Sequence, residues 1–271
     1  ILPWGLDMGA AGAGLATFLS NCAACVYFFI LLYARRENTY VCIRPGMFCL
    51  RGAIVLGVCG VGIPASIQNL LNVTGMTILN NFTSVFGADA VAAMGITQKI
   101  YMVPMYVCMG MSQGIMPLVS YNYASGNQKR MRSAIVFTGG ISIGFITAAS
   151  LFFYVGAEGV VRFFMDNTAI IAYGIRFLRG FCLGLPFLCM DFLAVGVFQA
   201  LGYGKNALVF AIMRKIVLEI PALYVLNRLF PLYGLAYAQF VAEFVLAVAA
   251  VAELFLIFRR LGRKAEYAED I

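Results

Sequence analysis

Seven long apolar runs, joined by short polar connections, constrain this chain more than any other feature. They lie at about 11–33, 52–85, 90–121, 133–155, 170–200, 206–227 and 232–258. Crossing the hydrocarbon of a bilayer takes about 20 mostly apolar residues. Inside it every backbone N–H and C=O must be paired within the protein, and runs this long can do so only as helices. Several exceed the minimum, which predicts tilt, kinks or extension past the bilayer. The expected fold class is therefore all-α, a polytopic membrane helix bundle with seven transmembrane helices. Composition agrees: 62% of the 271 residues are hydrophobic and 11% charged, where a soluble domain carries about 25% charge.

The net charge of +7 would fit nucleic acid if the cations lined one face, but they fall in small clusters between apolar runs. Arg35, Arg36, Arg44 and Arg51 lie in the first connection, and none lies around Phe86 to Asp89. Lys129, Arg130 and Arg132 follow, then Arg162 beside Glu158 and Asp166. Lys205 comes next, with Arg214 and Lys215 inside the following run, then Arg228 alone. Arg259, Arg260, Arg263 and Lys264 end the series. Rich and poor connections alternate, which is the positive-inside pattern of a multi-pass protein in a plasma or inner cell membrane. It places the start outside and the C-terminus in the cytoplasm. The opening "ILPWGLDMG" has no basic region or cleavage pattern and is not a signal peptide. It reads as the middle of a longer protein.

A charge at the bilayer centre costs several kcal/mol, so an ionisable residue there is a functional hypothesis by default. Lys99, Asp191, Glu219 and Glu243 sit near mid-run. Glu219 follows Lys215 by four residues, on one helix face, and can form a structural pair with it. Glu243 follows Gln239 by one turn and can hydrogen-bond between helices. Lys99 can be the counter-charge to any of the three acids. Asp191, in "FLCMDFLAVGVFQ", has no basic residue within two turns of its own helix. It must meet another helix, an ion, water or a proton, and it is the ion-coupling candidate; a buried structural acid is the alternative.

Polar residues also mark two helix faces. In "VGIPASIQNLLNVTG", Pro64 bends the helix, Gln68 and Asn72 lie one turn apart and Asn69 lies beside them. The third run spaces Lys99, Tyr106 and Gln113 by seven. Irregular helices with polar faces beside a cavity are typical of transporters. Gln68, Asn69, Asn72, Lys99, Tyr106, Gln113, Glu219 and Glu243 are accordingly the cleft and substrate candidates. Glycine pairs at Gly110/Gly114, Gly140/Gly144 and Gly180/Gly184 would let helices approach closely.

Other chemistries lack their residues. The chain has no histidine, hence no histidine-ligated metal or haem. It has no phosphate-binding G-x-x-x-x-G-K-[ST] loop and no G-x-S-x-G elbow. The Cys22-x-x-Cys25 pair stands without a second pair, and the cysteines of the apolar runs read as small packing residues. No enzyme, cofactor, metal site or nucleic-acid partner is expected.

Five stretches, taken in order, resemble the MATE family of multidrug and toxic-compound exporters. "MGAAGAGLATFLSN" is similar to the start of that family's sixth helix, and "GIPASIQNLLNVTGMTILNNF" to its bent seventh. "GADAVAAMGITQKI" resembles the opening of the eighth and "GMSQGIMPLVSYNYASGNQKRMR" its end and the basic loop beyond. "FQALGYGKNALVFAIMRKIVLEIPALYVL" resembles the tenth-to-eleventh junction. The family has twelve helices in two six-helix lobes that rock about a central cleft. The resemblance implies one helix of an N-terminal lobe (1–33), a cytoplasmic interlobe loop (34–51), a C-terminal six-helix lobe (52–258) and a cytoplasmic tail (259–271), with the rest of the N-terminal half missing. It also implies antiport of small, often cationic amphipathic compounds through the lipid bilayer against H+ or Na+. Some members pair a seventh-helix Glu with a tenth-helix Asp. Asp191 stands where that Asp would be, but the seventh helix here offers Gln68, Asn69 and Asn72 and no Glu, so a second-lobe sodium site is in question and a proton role for Asp191 stays open.

Two other readings stand beside efflux. A flippase of lipid-linked sugars from the same superfamily would want more basic residues in the cleft than Lys99, Arg214 and Lys215. A seven-helix receptor or photoreceptor fits the run count, but a retinal site needs a Lys on the last helix, where this chain has Gln239, Glu243 and Glu253.

Overall fold

The computed structural model describes residues 8–35, 51–164 and 167–269. Arg36, Arg44 and Asp166 lie outside the described residues, as do the side chains of Arg260, Arg263 and Lys264. The chain divides into two units, Ile1–Leu56 and Gly57–Ile271.

The first unit holds α1, Gly9–Ala34. Phe18, Leu19, Tyr27, Phe28, Phe29 and Ile30 are all exposed, and they run around the helix rather than along one stripe. A helix apolar on all sides belongs in lipid or inside a larger assembly.

The second unit has helices as its only regular elements among the described residues. It contains α2 (Gly52–Ser84, whose first turn lies in the other unit), α3 (Ala88–Ala124), α4 (Gln128–Val155), α5 (Ala157–Phe164) and α6 (Thr168–Ala200). After these come α7 (Gly204–Ile212), a π-helical segment (Met213–Glu219), α8 (Ile220–Leu229) and α9 (Gly234–Glu269). Among the described residues, six helices of the chain are long and apolar enough to cross a membrane. The expected run at 206–227 differs. Helix continues from Gly204 to Leu229, but a π-helical stretch interrupts it, and Arg214, Lys215 and Glu219 fall in its middle. Three ionisable residues on so short a helix remove its apolar signature. The connection expected around Arg162 is also helical, as α5, with a surface ion pair between Arg162 and Glu158 at 2.8 Å.

α6 is the axis of the unit. α3, α4 and α9 all pack on it, and it is buried almost continuously from Phe177 to Phe198. Small residues permit this closeness. A Cβ on Gly180 would stand 2.7 Å from that of Ala236, and one on Gly184 would stand 3.5 Å from the backbone of Phe240. Gly196 faces Ser112, whose hydroxyl donates to the Phe192 carbonyl. The other two expected glycine pairs do not work this way: nothing lies within 4 Å of a Cβ built on Gly110, Gly114, Gly140 or Gly144. Their spacing marks helix, but the faces they occupy carry no close neighbour among the described residues.

The turns have local causes. Gly126 and Gly202 take φ of 74° and 79°, a left-handed backbone that costs a side chain but not glycine. Asn127 then caps α4 by accepting from the Arg130 N–H, and Asn167 caps α6 by accepting from the Ala169 N–H. Both satisfy orphan donors of a first turn.

Candidate functional site

Five ionisable side chains converge in the middle of the second unit. Asp191 comes from α6; Arg214, Lys215 and Glu219 from the π-helical segment; Glu243 from α9. None exceeds 8% exposure. The π-helical segment is what gathers its three. The Ile220 N–H reaches back five residues to the Lys215 carbonyl, so the turn is widened. Pro221 follows at the start of α8 and lacks the N–H that would hold a regular ladder there. Such π-bulges occur frequently at functional sites.

Two ion pairs form. Arg214 Nη1 meets Asp191 Oδ2 at 3.1 Å, and its Nη2 donates to Asn72 Oδ1 of α2 at 2.6 Å. The guanidinium also lies over the Phe192 ring, 5.2 Å from the centroid. Lys215 Nζ donates to both oxygens of Glu219 at 2.8 and 2.6 Å. Gly75 of α2 admits this pair: a Cβ there would stand 3.1 Å from Lys215 Cδ and 3.4 Å from Glu219 Oε1.

Glu243 is different. It is fully buried, and neither carboxyl oxygen has a hydrogen-bond partner among the described residues. Asp191 Oδ1 and Arg214 Nε are likewise unpartnered. Glu243 lies within electrostatic range of Arg214, Asp191, Lys215 and Glu219. One turn before it on α9, Gln239 donates to the Tyr101 hydroxyl at 2.6 Å. The hydrogen bond expected between helices at this position is made by Gln239, not by Glu243.

Two cavities adjoin the cluster. The larger, of about 230 Å³, is lined by Met76, Met102, Met105, Met109, Tyr101, Tyr106, Phe181 and Phe192, with Asn69, Asn72, Lys215, Glu219 and Gln239 as its polar edge. The smaller, of about 130 Å³, is lined by Gln68, Asn69, Asn72, Ser112, Gln113 and Gln199 among others. Gln199 donates to Gln68 at 3.4 Å across it. Methionine is flexible and polarisable, and it suits surfaces that accept varied ligands.

The sequence candidates thus fall into three groups. Asp191, Glu219 and Glu243 lie in the buried cluster, with Asn72 at its rim. Gln68, Asn69, Tyr106 and Gln113 border the cavities. Lys99 belongs to neither group. It is exposed on α3, and the expectation that it balances one of the acids is replaced by Arg214 and Lys215. Tyr101 and Gln239 were not among the sequence candidates, and Arg214 appeared only among the basic residues that a flippase cleft would use. For Arg214 the signal was present. It stands well past the turn at Tyr203 and Gly204, too deep in its apolar run to belong to a loop.

Comparison with known proteins gives the family. The MatE family profile matches residues 64–225. The chain belongs to the MatE family. It is 32% identical over 273 residues to the "Multidrug export protein MepA" of Staphylococcus saprophyticus, covering 99% of this chain and 59% of that protein. The protein of the same name from Staphylococcus haemolyticus is 32% identical over 263 residues, covering 96% and 57%. The chain therefore spans somewhat over half the length of these relatives. Among solved structures, an outward-facing multidrug resistance MATE family transporter of the MOP superfamily superposes with a TM-score of 0.86 at 22% identity, covering 95% of this chain and 58% of that one. A MOP superfamily transporter from Pyrococcus furiosus gives 0.85 at 22%, covering 95% and 58%. The fold is that of MATE transporters, and the protein is a multi-pass membrane protein.

Proposed function

We propose that this chain contributes one wall of an ion-coupled antiporter that exports small, cationic amphipathic compounds from the cell by alternating access. The observation that carries this reading is the pairing of a Met- and aromatic-lined cavity with a buried charge cluster on its edge. Aromatic faces attract organic cations, and a desolvated ring strengthens the attraction. The cluster's acids supply long-range negative potential, while the cavity wall supplies apolar contact. The coupling ion is H+ or Na+, and the Asp191–Arg214 pair is the element whose making and breaking follows it. Charges buried this way in a membrane protein mark ion pathways and relays. The relatives' names support drug export, and their greater length leaves room for a second wall of the cleft.

The remaining parts of this reading are topological. The C-terminus lies in the cytoplasm, on the basic side of the charge pattern, and the membrane is that of the cell. Segments 1–33, 34–51, 52–258 and 259–271 act as a lobe-ending helix, interlobe loop, second lobe and tail. The protein works on its substrate by moving it, with no covalent chemistry. A lipid-linked sugar flippase is the weaker alternative, because Arg214 and Lys215 are both occupied by acids rather than free to face an anionic lipid.

The test is efflux of tetraphenylphosphonium from cells making the full-length protein. Wild type is expected to lower accumulation in a gradient-dependent way. Asp191→Asn is expected to reduce efflux severalfold at unchanged expression. Wild-type efflux by that variant at every pH removes Asp191 from coupling, and no efflux by wild type overturns the exporter reading.

A further inference from the structure

The cluster holds two cations against three acids, and the geometry shows which acid is left over. Lys215 is committed to Glu219 through both carboxyl oxygens, and Arg214 is committed to Asp191 and Asn72. Glu243 remains, with no exposure and no hydrogen-bond partner among the described residues. An isolated buried carboxylate is strongly disfavoured without a compensating charge.

We infer that Glu243 is the seat of the exchanged proton, and that one proton on its carboxyl and one positive charge of a substrate in the adjoining cavity are alternative ways to neutralise the same cluster. This rests on the antiport reading above and assigns its coupling to a residue.

The charged and titratable groups facing Glu243 come from every element around it. α6 gives Asp191, the π-helical segment gives Arg214, Lys215 and Glu219, and α3 gives Tyr101 and Cys108. With Glu243 protonated, the two pairs balance. With the proton lost to water the cluster carries one net negative charge. The Met-lined cavity reaches Gln239, Lys215 and Glu219, so it ends one helical turn from Glu243. A cation held there sees that charge through little intervening water, where electrostatic interactions are strong. Arg214 Nε has no partner among the described residues, and Arg214 acts electrostatically on Glu243. Asp191 is then a positioning residue that holds Arg214 while Glu243 is protonated.

The test uses the full-length protein in detergent micelles, with tetraphenylphosphonium as the probe. Binding in weakly buffered solution is followed with a pH indicator. Wild type is expected to release about one proton per probe bound, and its affinity to fall by up to about tenfold per pH unit on acidification. E243Q is expected to bind with no release and a flat pH profile, and release from it equal to wild type overturns the inference. Infrared difference spectra of variants that keep the charge count assign the proton and do not depend on E243Q folding. A protonated-carboxyl band that vanishes on probe binding and shifts in E243D but not in D191E supports Glu243. A band that shifts in D191E instead, or no vanishing band in wild type, overturns it. Wild type that fails to bind the probe overturns the proposed function first, and this assignment with it.

Discussion

Replacing Arg214 by methionine should destabilise the protein by about 3–5 kcal/mol, the usual cost of removing one partner from a buried ion pair. The reason is local. Asp191 is 2% exposed and has one oxygen already without a donor among the described residues; R214M takes the donor from the other. Asn72 also loses its partner at 2.6 Å. The cluster is left with Lys215 against three acids. D191N should cost less, about 1.5–3 kcal/mol, because the amide keeps the shape and one acceptor while only the charge-assisted part of the bond is lost. The double variant D191N/R214M removes both charges together. Its cost should fall short of the summed single costs by about 2–3 kcal/mol, the upper range of couplings for residues in contact. The assay is equilibrium unfolding of the purified protein in mixed micelles by increasing SDS, followed by circular dichroism. A loss of about 3 kcal/mol lowers the folded-to-unfolded ratio by about two decades, well within reach of the method. Additive single costs, or a cost for R214M below about 1 kcal/mol, would refute the argument that Arg214 is held by Asp191 in a desolvated site.

Much of the fold was legible because bilayer chemistry forbids most alternatives. Apolar runs of about 20 residues leave the backbone no choice but helix, and Gly126 and Gly202 ended helices where a polar turn was expected. Relations between helices were less legible. The glycine spacing at 140/144 is identical to that at 180/184, and only the second pair meets another helix, because spacing fixes a face but not what lies opposite. The site was half legible for a similar reason. Asp191 announced itself as an acid without a partner on its own helix, yet nothing local named Arg214, which is 23 residues away and meets it through tertiary packing. Lys99 was the nearer guess by hydropathy, and the helix rotates it outward. The Lys215–Glu219 pair, four residues apart on one segment, was readable directly. The π-helical turn was not, since its widening depends on Pro221 and on burying three charges together.

Three further outcomes follow from the packing and the site. Gly180→Val should destabilise by about 1–3 kcal/mol, the usual cost of overpacking, since its Cβ alone would stand 2.7 Å from that of Ala236. Gly140→Val, with nothing within 4 Å, should change stability by less than about 0.5 kcal/mol, as exposed substitutions usually do; thermal unfolding in micelles that ranks them in the other order refutes the assignment of the α6–α9 contact. Gly75→Ala tests how α2 reaches the charge cluster. Its Cβ would press on Lys215 Cδ at 3.1 Å and Nζ at 3.2 Å, and Lys215 cannot simply swing away without releasing Glu219. Against that stands a gain of about 1 kcal/mol in helix propensity over glycine. The two effects should nearly cancel in wild type. In a K215M/E219Q background, where the charged tip is gone and the methionine end can move, the propensity gain should emerge as added stability. Equal effects of Gly75→Ala in both backgrounds would mean that α2 does not rest on the pair, and that Gly75 is glycine for some reason other than the close approach of Lys215.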